Sequence, residues 1–247
     1  MKKKVIIITG VGKGFGEKLL RHFSSDYVVI GLTRSESDLE KIRNDPSVNR
    51  KNTFLHQVDV SDYERVESIL HEYIQNTKYQ IYGLINNAGV RCRMDFLKMS
   101  VNDIKAVCEV NLFAPIHLTR LLIPYMINAG EGRIINISSI LSSSALPELS
   151  AYAVSKAGLD GFTRSIAAEF ASKNITCNSI LPGFCETSYF PNFKSKTDLY
   201  QMTLDRTPAK RWGKDYELIG LCELLLGNNG GYINGASIPV DGGWMAC

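Results

Sequence analysis

VIIITGVGKGFGEK, residues 5–18, runs from four apolar residues into glycines at positions 10, 12, 14 and 16. A β-branched run followed at once by glycines reads as a strand that turns sharply into a helix. Backbone N–H groups at such a turn point at an anion, most often a phosphate. A nucleotide-triphosphate loop needs GxxxxGK followed by Ser or Thr. Here Gly12-Lys13 is followed by Gly14, and Ile7 stands five residues before Gly12, so that pattern is excluded. The common GxGxxG dinucleotide fingerprint also fails, because Phe15 and Glu17 occupy the places of its third glycine. The spacing that fits is TGxxxGxG: Thr9, Gly10, Gly14 and Gly16. In it Gly10 permits the turn, Gly14 lets backbone N–H groups approach a pyrophosphate, and Gly16 lets the helix pack on the sheet.

The rest of the chain repeats this strand-then-helix unit. Residues 4–9, 27–32, 53–58, 81–86, 132–138, 175–181 and 236–240 read as strands. Most do not alternate apolar with polar residues, as expected of strands buried on both faces. Helical patterns lie between them, at about 14–24, 35–43, 62–76, 101–128 in two segments, 150–172 and 215–226. Ser61 with Glu64 three residues on predicts a capping box at the start of the third helix. The expected fold is therefore α/β: a single Rossmann-type doubly wound parallel sheet of about seven strands, flanked by helices on both faces, in one domain over residues 1–247. Residues 186–211 show no clear pattern and exceed an ordinary loop, which predicts a lid over the substrate. Tyr189, Phe190, Phe193, Tyr200 and Met202 either line it or pack it on the body.

Composition sets limits. The 247 residues are 45% hydrophobic and 21% charged with a net charge of +3, too small to argue for nucleic acid. The apolar part of MKKKVIII meets a polar turn before it could form a signal peptide. No apolar run of membrane-spanning length is evident, so no membrane partner and a cytoplasmic location are expected. The six cysteines (Cys92, Cys108, Cys177, Cys185, Cys222 and Cys247) are scattered, which reads as reduced thiols. The four histidines lack metal-ligand spacing, and no metal is expected.

SAYAVSKAG (150–158) carries Tyr152 and Lys156 one helical turn apart, on one face. Ser139 lies thirteen residues upstream of Tyr152, just past a strand end, where chemistry collects in such sheets. Hydride transfer to a carbonyl builds negative charge on oxygen. A phenol of pKa about 10 can donate the proton if a nearby cation lowers that value, and a serine hydroxyl can hold the substrate oxygen. Ser138 is adjacent, and only the spacing favours Ser139.

With these residues in order, the chain resembles the short-chain dehydrogenase/reductase family in its common form of roughly 250 residues, as in 3-oxoacyl-acyl-carrier-protein reductase-like members. The resemblance rests on TGVGKGFG (9–16), DV (59–60), NNAG (86–89), Asn111 in EVNL, Ser139, YAVSK (152–156), NSILPG (178–183), Thr187 and YINGASIPVDGG (232–243). It implies a catalytic tetrad of Asn111, Ser139, Tyr152 and Lys156. Tyr152 would be the general acid/base, Lys156 would lower its pKa and bind the nicotinamide ribose, and Asn111 would hold a water in a proton relay. Gly10, Lys13, Gly14, Phe15, Gly16 and Arg34 would receive the adenosine and pyrophosphate end of the cofactor. Asp59 and Val60 would face the adenine, and Asn87, Ala88 and Gly89 would support the central sheet. Pro182, Gly183 and Thr187 would hold the nicotinamide end. The resemblance also implies a homodimer or homotetramer through the two long helices around the fifth strand.

Cofactor choice is a question of charge. The second strand ends GLTRSES (31–37), with Thr33 where an NAD enzyme carries an acid, and with Arg34 next. Lys13 adds a second cation, and together they favour NADP(H) over NAD(H). Substrate is less legible: a small-molecule ketone or alcohol, with an acyl-carrier thioester as one option. Lys173 suits an acidic carrier, but NAGE (128–131) lacks the basic residues expected beside it. Arg91 and Arg93 read either as anion contacts or as solvated loop charges. A non-catalytic dinucleotide sensor on the same fold is the other functional class. An NAD-dependent alcohol or sugar dehydrogenase is the alternative within the enzyme class.

Overall fold

The computed structural model describes residues 2–187 and 190–246; Tyr189 and Cys247 lie outside them. In chain order the elements are β1 (Lys3–Thr9), α1 (Gly14–Phe23), β2 (Val28–Thr33), α2 (Glu36–Arg43), β3 (Thr53–Gln57), α3 (Tyr63–Ile74) and β4 (Tyr79–Asn86). There follow α4 (Val101–Cys108), α5 (Ala114–Ala129), β5 (Gly132–Ile137), α6 (Ser150–Phe170) and β6 (Ile175–Pro182). The last are β7 (Cys185–Glu186), α7 (Phe190–Lys194), α8 (Thr197–Arg206), β8 (Gly213–Lys214), α9 (Ile219–Leu226) and β9 (Ser237–Val240). Seven strands form one sheet in the order β3-β2-β1-β4-β5-β6-β9, every pair parallel.

The unbroken apolar run of β1 has a simple physical reason. Val5 and Ile7 enter one core with α3 and α5, among Val66, Leu70, Leu118 and Leu122. Ile6 and Ile8 point the other way, into a second core with α1 and α9, among Leu19, Leu20, Leu225 and Leu226. Because both faces are covered, no position on the strand is left for a polar residue. The strand order reverses between β1 and β4, which opens a crevice at their carboxyl ends.

Several local expectations need correcting. Asp62, not Ser61, caps α3: its carboxylate accepts the Arg65 N–H at 3.1 Å, while the Ser61 hydroxyl donates to Asp59 at 2.7 Å. The predicted 186–211 loop contains α7 and α8, and β7 and β8 pair beside the main sheet. The helix expected from residue 215 begins at Ile219. Residues 101–129 are α4 and α5 joined by a π-helical turn, Glu109–Phe113. Contrary to the sequence reading, this composite helix is long and apolar enough to cross a membrane by length and composition. Its apolar side chains Leu118, Leu122, Ile123 and Met126 are spent in the sheet core instead.

Ile7 is fully buried between central strands. Ile7→Ala is expected to lower unfolding stability by about 2–5 kcal/mol, read from the urea midpoint at fixed protein concentration.

Candidate active site

The glycine turn is shaped by close backbone approach. Gly10 and Gly14 have φ of +71° and +59°, in the left-handed region that favours glycine. A Cβ on Gly16 would collide with the Gly10 carbonyl oxygen and stand 2.5 Å from Asn87 Nδ2. Asn87 Nδ2 donates to the carbonyls of Thr9 and Gly10, both at 3.0 Å. Thr9 Oγ1 in turn accepts the N–H groups of Asn87 (3.0 Å) and Ala88 (2.9 Å). Thr187 faces the turn across the crevice, 3.4 Å from where a Gly14 Cβ would be. Gly89 lies against Asn111 Oδ1 and Lys156 Nζ in the same way, at 3.4 and 3.8 Å. Pro182 ends β6 in register with Val240, and Gly183 packs on the Asp241 backbone. Phe15 packs into the core under α1.

The polar rim of the turn carries the charges expected of it and one more. Lys13 is exposed at the start of α1, and Arg34 is exposed with its guanidinium 3.5 Å from Asp59. Burial pushes the Asp59 carboxyl up, but hydrogen bonds from Ser61 and the charge of Arg34 outweigh it and hold the pKa low. Val60, beside it, is buried. Thr33 reaches the turn, its hydroxyl 2.9 Å from a Cβ built on Gly12. Asp38 does too, with a carboxylate oxygen 2.7 Å from that point and Lys41 Nζ 3.8 Å away. Sequence reading stopped at the strand end and missed Asp38. The available signal was S-x-x-D at 35–38: Ser35 caps α2 through the Asp38 N–H (3.2 Å), placing Asp38 in the first helical turn.

Beyond the crevice, α6 presents Tyr152, Ser155 and Lys156, all buried. Ser139 Oγ accepts the Leu141 N–H at 3.2 Å and acts on the Tyr152 phenol. Its neighbour Ser138 turns away and donates to the Lys156 carbonyl at 3.3 Å. Lys156 Nζ donates to the Ile137 carbonyl at 2.7 Å and lies 5.8 Å from the Tyr152 ring centre. Burial pushes the phenol up, yet the charges of Lys156 and Arg91 and hydrogen bonds from Ser139 and Arg91 hold it below its usual value. Burial likewise drives the Lys156 ammonium below its ordinary pKa, with Tyr152 and Asp160 opposing and Arg91 adding to the fall. Asn111 sits in the π-helical turn, fully buried. Its Oδ1 accepts the Val90 N–H (2.8 Å), and its Nδ2 donates to the Val90 carbonyl (2.9 Å) and to Ser155 Oγ (3.0 Å).

Arg91 is the residue whose placement was least foreseeable. Its guanidinium carbon is 5.2 Å from the Tyr152 ring centre. Arg93 instead pairs with Glu148 at 2.7 Å. The aromatic side chains of the 190–206 segment mostly serve packing: Phe190, Phe193 and Tyr200 lie 5.0, 4.9 and 5.6 Å from the Trp212 ring centre. Met202 joins the cluster of Leu181 and Trp244. Burial pushes the Cys185 thiol up to about 12, so it stays protonated and a poor nucleophile.

Comparison with known proteins gives this arrangement its context. The short chain dehydrogenase family model matches residues 4–198. A 3-oxoacyl-acyl-carrier-protein reductase of Thermotoga maritima is 32% identical over 249 residues, covering 98% of each chain. A 4-hydroxyisoleucine dehydrogenase solved with NADH superposes with a TM-score of 0.91 at 30% identity, covering 99% of each chain. A gluconate 5-dehydrogenase of Burkholderia cenocepacia solved with NADP and tartrate gives 0.90 at 27% identity, over 100% of this chain and 97% of that one.

Gly16→Ala is expected to displace the turn, because the obstructing atom is backbone and cannot rotate away. The check is a thermal melt, with a loss of roughly 1–3 kcal/mol, paired with a titration showing weakened dinucleotide binding.

Proposed function

The chain belongs to the short chain dehydrogenase family, and we propose that it is an NADP(H)-dependent oxidoreductase acting on a ketone or secondary alcohol. The observation that carries the reading is a buried phenol, Tyr152, with the Lys156 ammonium 5.8 Å from its ring centre and its pKa held below the ordinary value against the penalty of burial. When bound, the dinucleotide supplies or accepts the hydride. The glycine cradle fits a pyrophosphate at the amino end of α1: Gly10 and Gly14 take the left-handed backbone the turn needs, and Gly16 lets the helix start pack directly on the Gly10 carbonyl. Asn87, Ala88 and Gly89 support the crevice, and Pro182, Gly183 and Thr187 would hold the nicotinamide end. Asp59 and Val60 would face the adenine of the bound dinucleotide.

In the reductive direction Ser139 holds the carbonyl oxygen, and Tyr152 passes its hydroxyl proton to that oxygen as charge develops there. In the oxidative direction the tyrosinate removes the alcohol proton. Lys156 stabilises the tyrosinate and would bind the nicotinamide ribose of the bound dinucleotide. Both side-chain donors of Asn111 are engaged with Val90 and Ser155, so its part is to position this wall of the site; the water of the family's relay would be held by its remaining acceptor capacity.

Lys13 and Arg34, with Thr33 in place of an acid, support NADP(H) as the cofactor, and the gluconate 5-dehydrogenase solved with NADP agrees. Asp38 opposes a 2′-phosphate, with Lys41 offsetting its charge. Retention of Asn111, Ser139, Tyr152 and Lys156 favours an enzyme over a sensor. Residues 1–247 act as one dinucleotide-binding domain with residues 186–211 over the substrate. The protein works in the cytoplasm as a homodimer or homotetramer, with exposed Phe113 and Val154 at the contact between copies.

Tyr152→Phe is expected to cut kcat by about 10²–10⁴ while dinucleotide affinity measured by fluorescence is kept. The oxidative rate rises with pH as the phenol ionises. Its half-maximal pH should therefore lie below about 10 in the wild type and move up in Lys156→Met. Arg34→Asp should raise KM for NADPH at least about tenfold more than KM for NADH in parallel assays; equal effects would remove the charge argument.

A further inference from the structure

We propose that Arg91 binds a carboxylate of the substrate one or two carbons from the reacting carbon, so that the enzyme's substrates are 2- or 3-oxo acids and the matching hydroxy acids. The inference rests on Tyr152 as acid/base, and it specifies the substrate class of that site.

Four observations carry it. The first is position: Tyr152, Ser139 and Lys156 are buried, whereas Arg91 is exposed with its guanidinium over the Tyr152 ring. Lys156 is tied to the Ile137 carbonyl on the inner side, so Arg91 stands on the open side, where a substrate must enter. The second is rigidity. Asn111 clamps both backbone polar groups of Val90, and on the other side Arg93 pairs with Glu148 while the Met94 N–H donates to the Glu148 carbonyl at 2.9 Å. A solvated loop arginine would not have its backbone fixed from both flanks.

The third is charge. Among the described residues, the charges acting on the phenol are two cations, Lys156 and Arg91. Asp160 acts on Lys156 from the next helical turn, and Glu148 is taken up by Arg93. A pocket with that balance favours an anionic ligand over a neutral one. The fourth is reach. The guanidinium carbon lies 5.2 Å from the ring centre. A ligand hydrogen-bonded to both groups therefore has little room between its reacting oxygen and its anionic end. Arginine meets a carboxylate with two parallel hydrogen bonds, which fixes orientation as well as affinity. A neutral 3-oxoacyl thioester offers it nothing of the kind.

The test uses the purified full chain with NADPH at one pH. Acetoacetate is compared with methyl acetoacetate, pyruvate with methyl pyruvate, and both with the N-acetylcysteamine thioester of acetoacetate. The wild type should favour acid over ester by at least about tenfold in kcat/KM. Arg91→Met should collapse that ratio toward one, mainly through KM for the acid, and Arg91→Lys should keep part of it. Because each ratio is taken at a single pH, a change in the acidity of Tyr152 cancels. Malonate and oxalate carry carboxylates without a reducible ketone. They should inhibit reduction of a neutral ketone competitively, and roughly tenfold less well in Arg91→Met.

Equal turnover of acid and ester by the wild type, or an equal loss on both in Arg91→Met, overturns the inference while Tyr152-dependent reduction leaves the oxidoreductase reading intact. A chain that binds NADPH yet reduces none of these carbonyls, with malonate and oxalate without effect on its thermal melt, overturns both.

Discussion

Hydrogen bonds between the carboxyl ends of β1 and β4 hold the site together. Thr9 accepts from the N–H groups of the two residues that follow β4, and Asn87 returns two hydrogen bonds to the β1 end and the turn after it. This is the place where the sheet order reverses, so no crossover helix covers it. Without the cross-links, two parallel strand ends would diverge there and leave their backbone groups to water. With them, the glycine turn on one side and the Gly89–Arg91 segment on the other keep one relative position. The cofactor cradle and the reactive phenol are thereby built on a common edge.

Electrostatics at that edge follow from burial. An ammonium at the depth of Lys156 is costly unless it finds a hydrogen-bond partner. The Ile137 carbonyl provides one, 2.7 Å away, without neutralising the charge. The remaining field falls on Tyr152, where it opposes the desolvation that would otherwise keep the phenol protonated and, together with Arg91 and Ser139, outweighs it. A salt bridge to Lys156 would have served stability better and left the phenol an ordinary, weak acid.

Much of this was legible in the sequence because it rests on local rules. Apolar runs without alternation identify doubly covered strands, and TGxxxGxG spacing identifies the turn, since both reflect contacts within a few residues. The thirteen-residue spacing favoured Ser139 over Ser138, and in the structure Ser138 is engaged with the Lys156 carbonyl. What was hidden depends on how distant pieces meet. Asp62 rather than Ser61 caps α3 because Asp59 takes the Ser61 hydroxyl. The helices after residue 190 carry aromatics that look fit for a substrate but are drawn to Trp212, a partner outside any local window. Asp38 returns over Gly12 only because α2 starts where it does. Arg91 could be read either way until Asn111, twenty residues on, was seen to grip its neighbour.

The π-helical turn that carries Asn111 separates two design variables. It secures main-chain atoms of Val90 and ignores the side chain that follows. The anchoring geometry therefore belongs to the scaffold, while the chemical preference at the next position is a single exchangeable letter. A protein built this way can change its diet by one codon at residue 91 and still keep its fold and its dinucleotide turn, with the acidity of Tyr152 shifting in step. Drift at Asn111 would blur all preferences at once, because no replacement side chain presents the same three hydrogen bonds from one rigid amide.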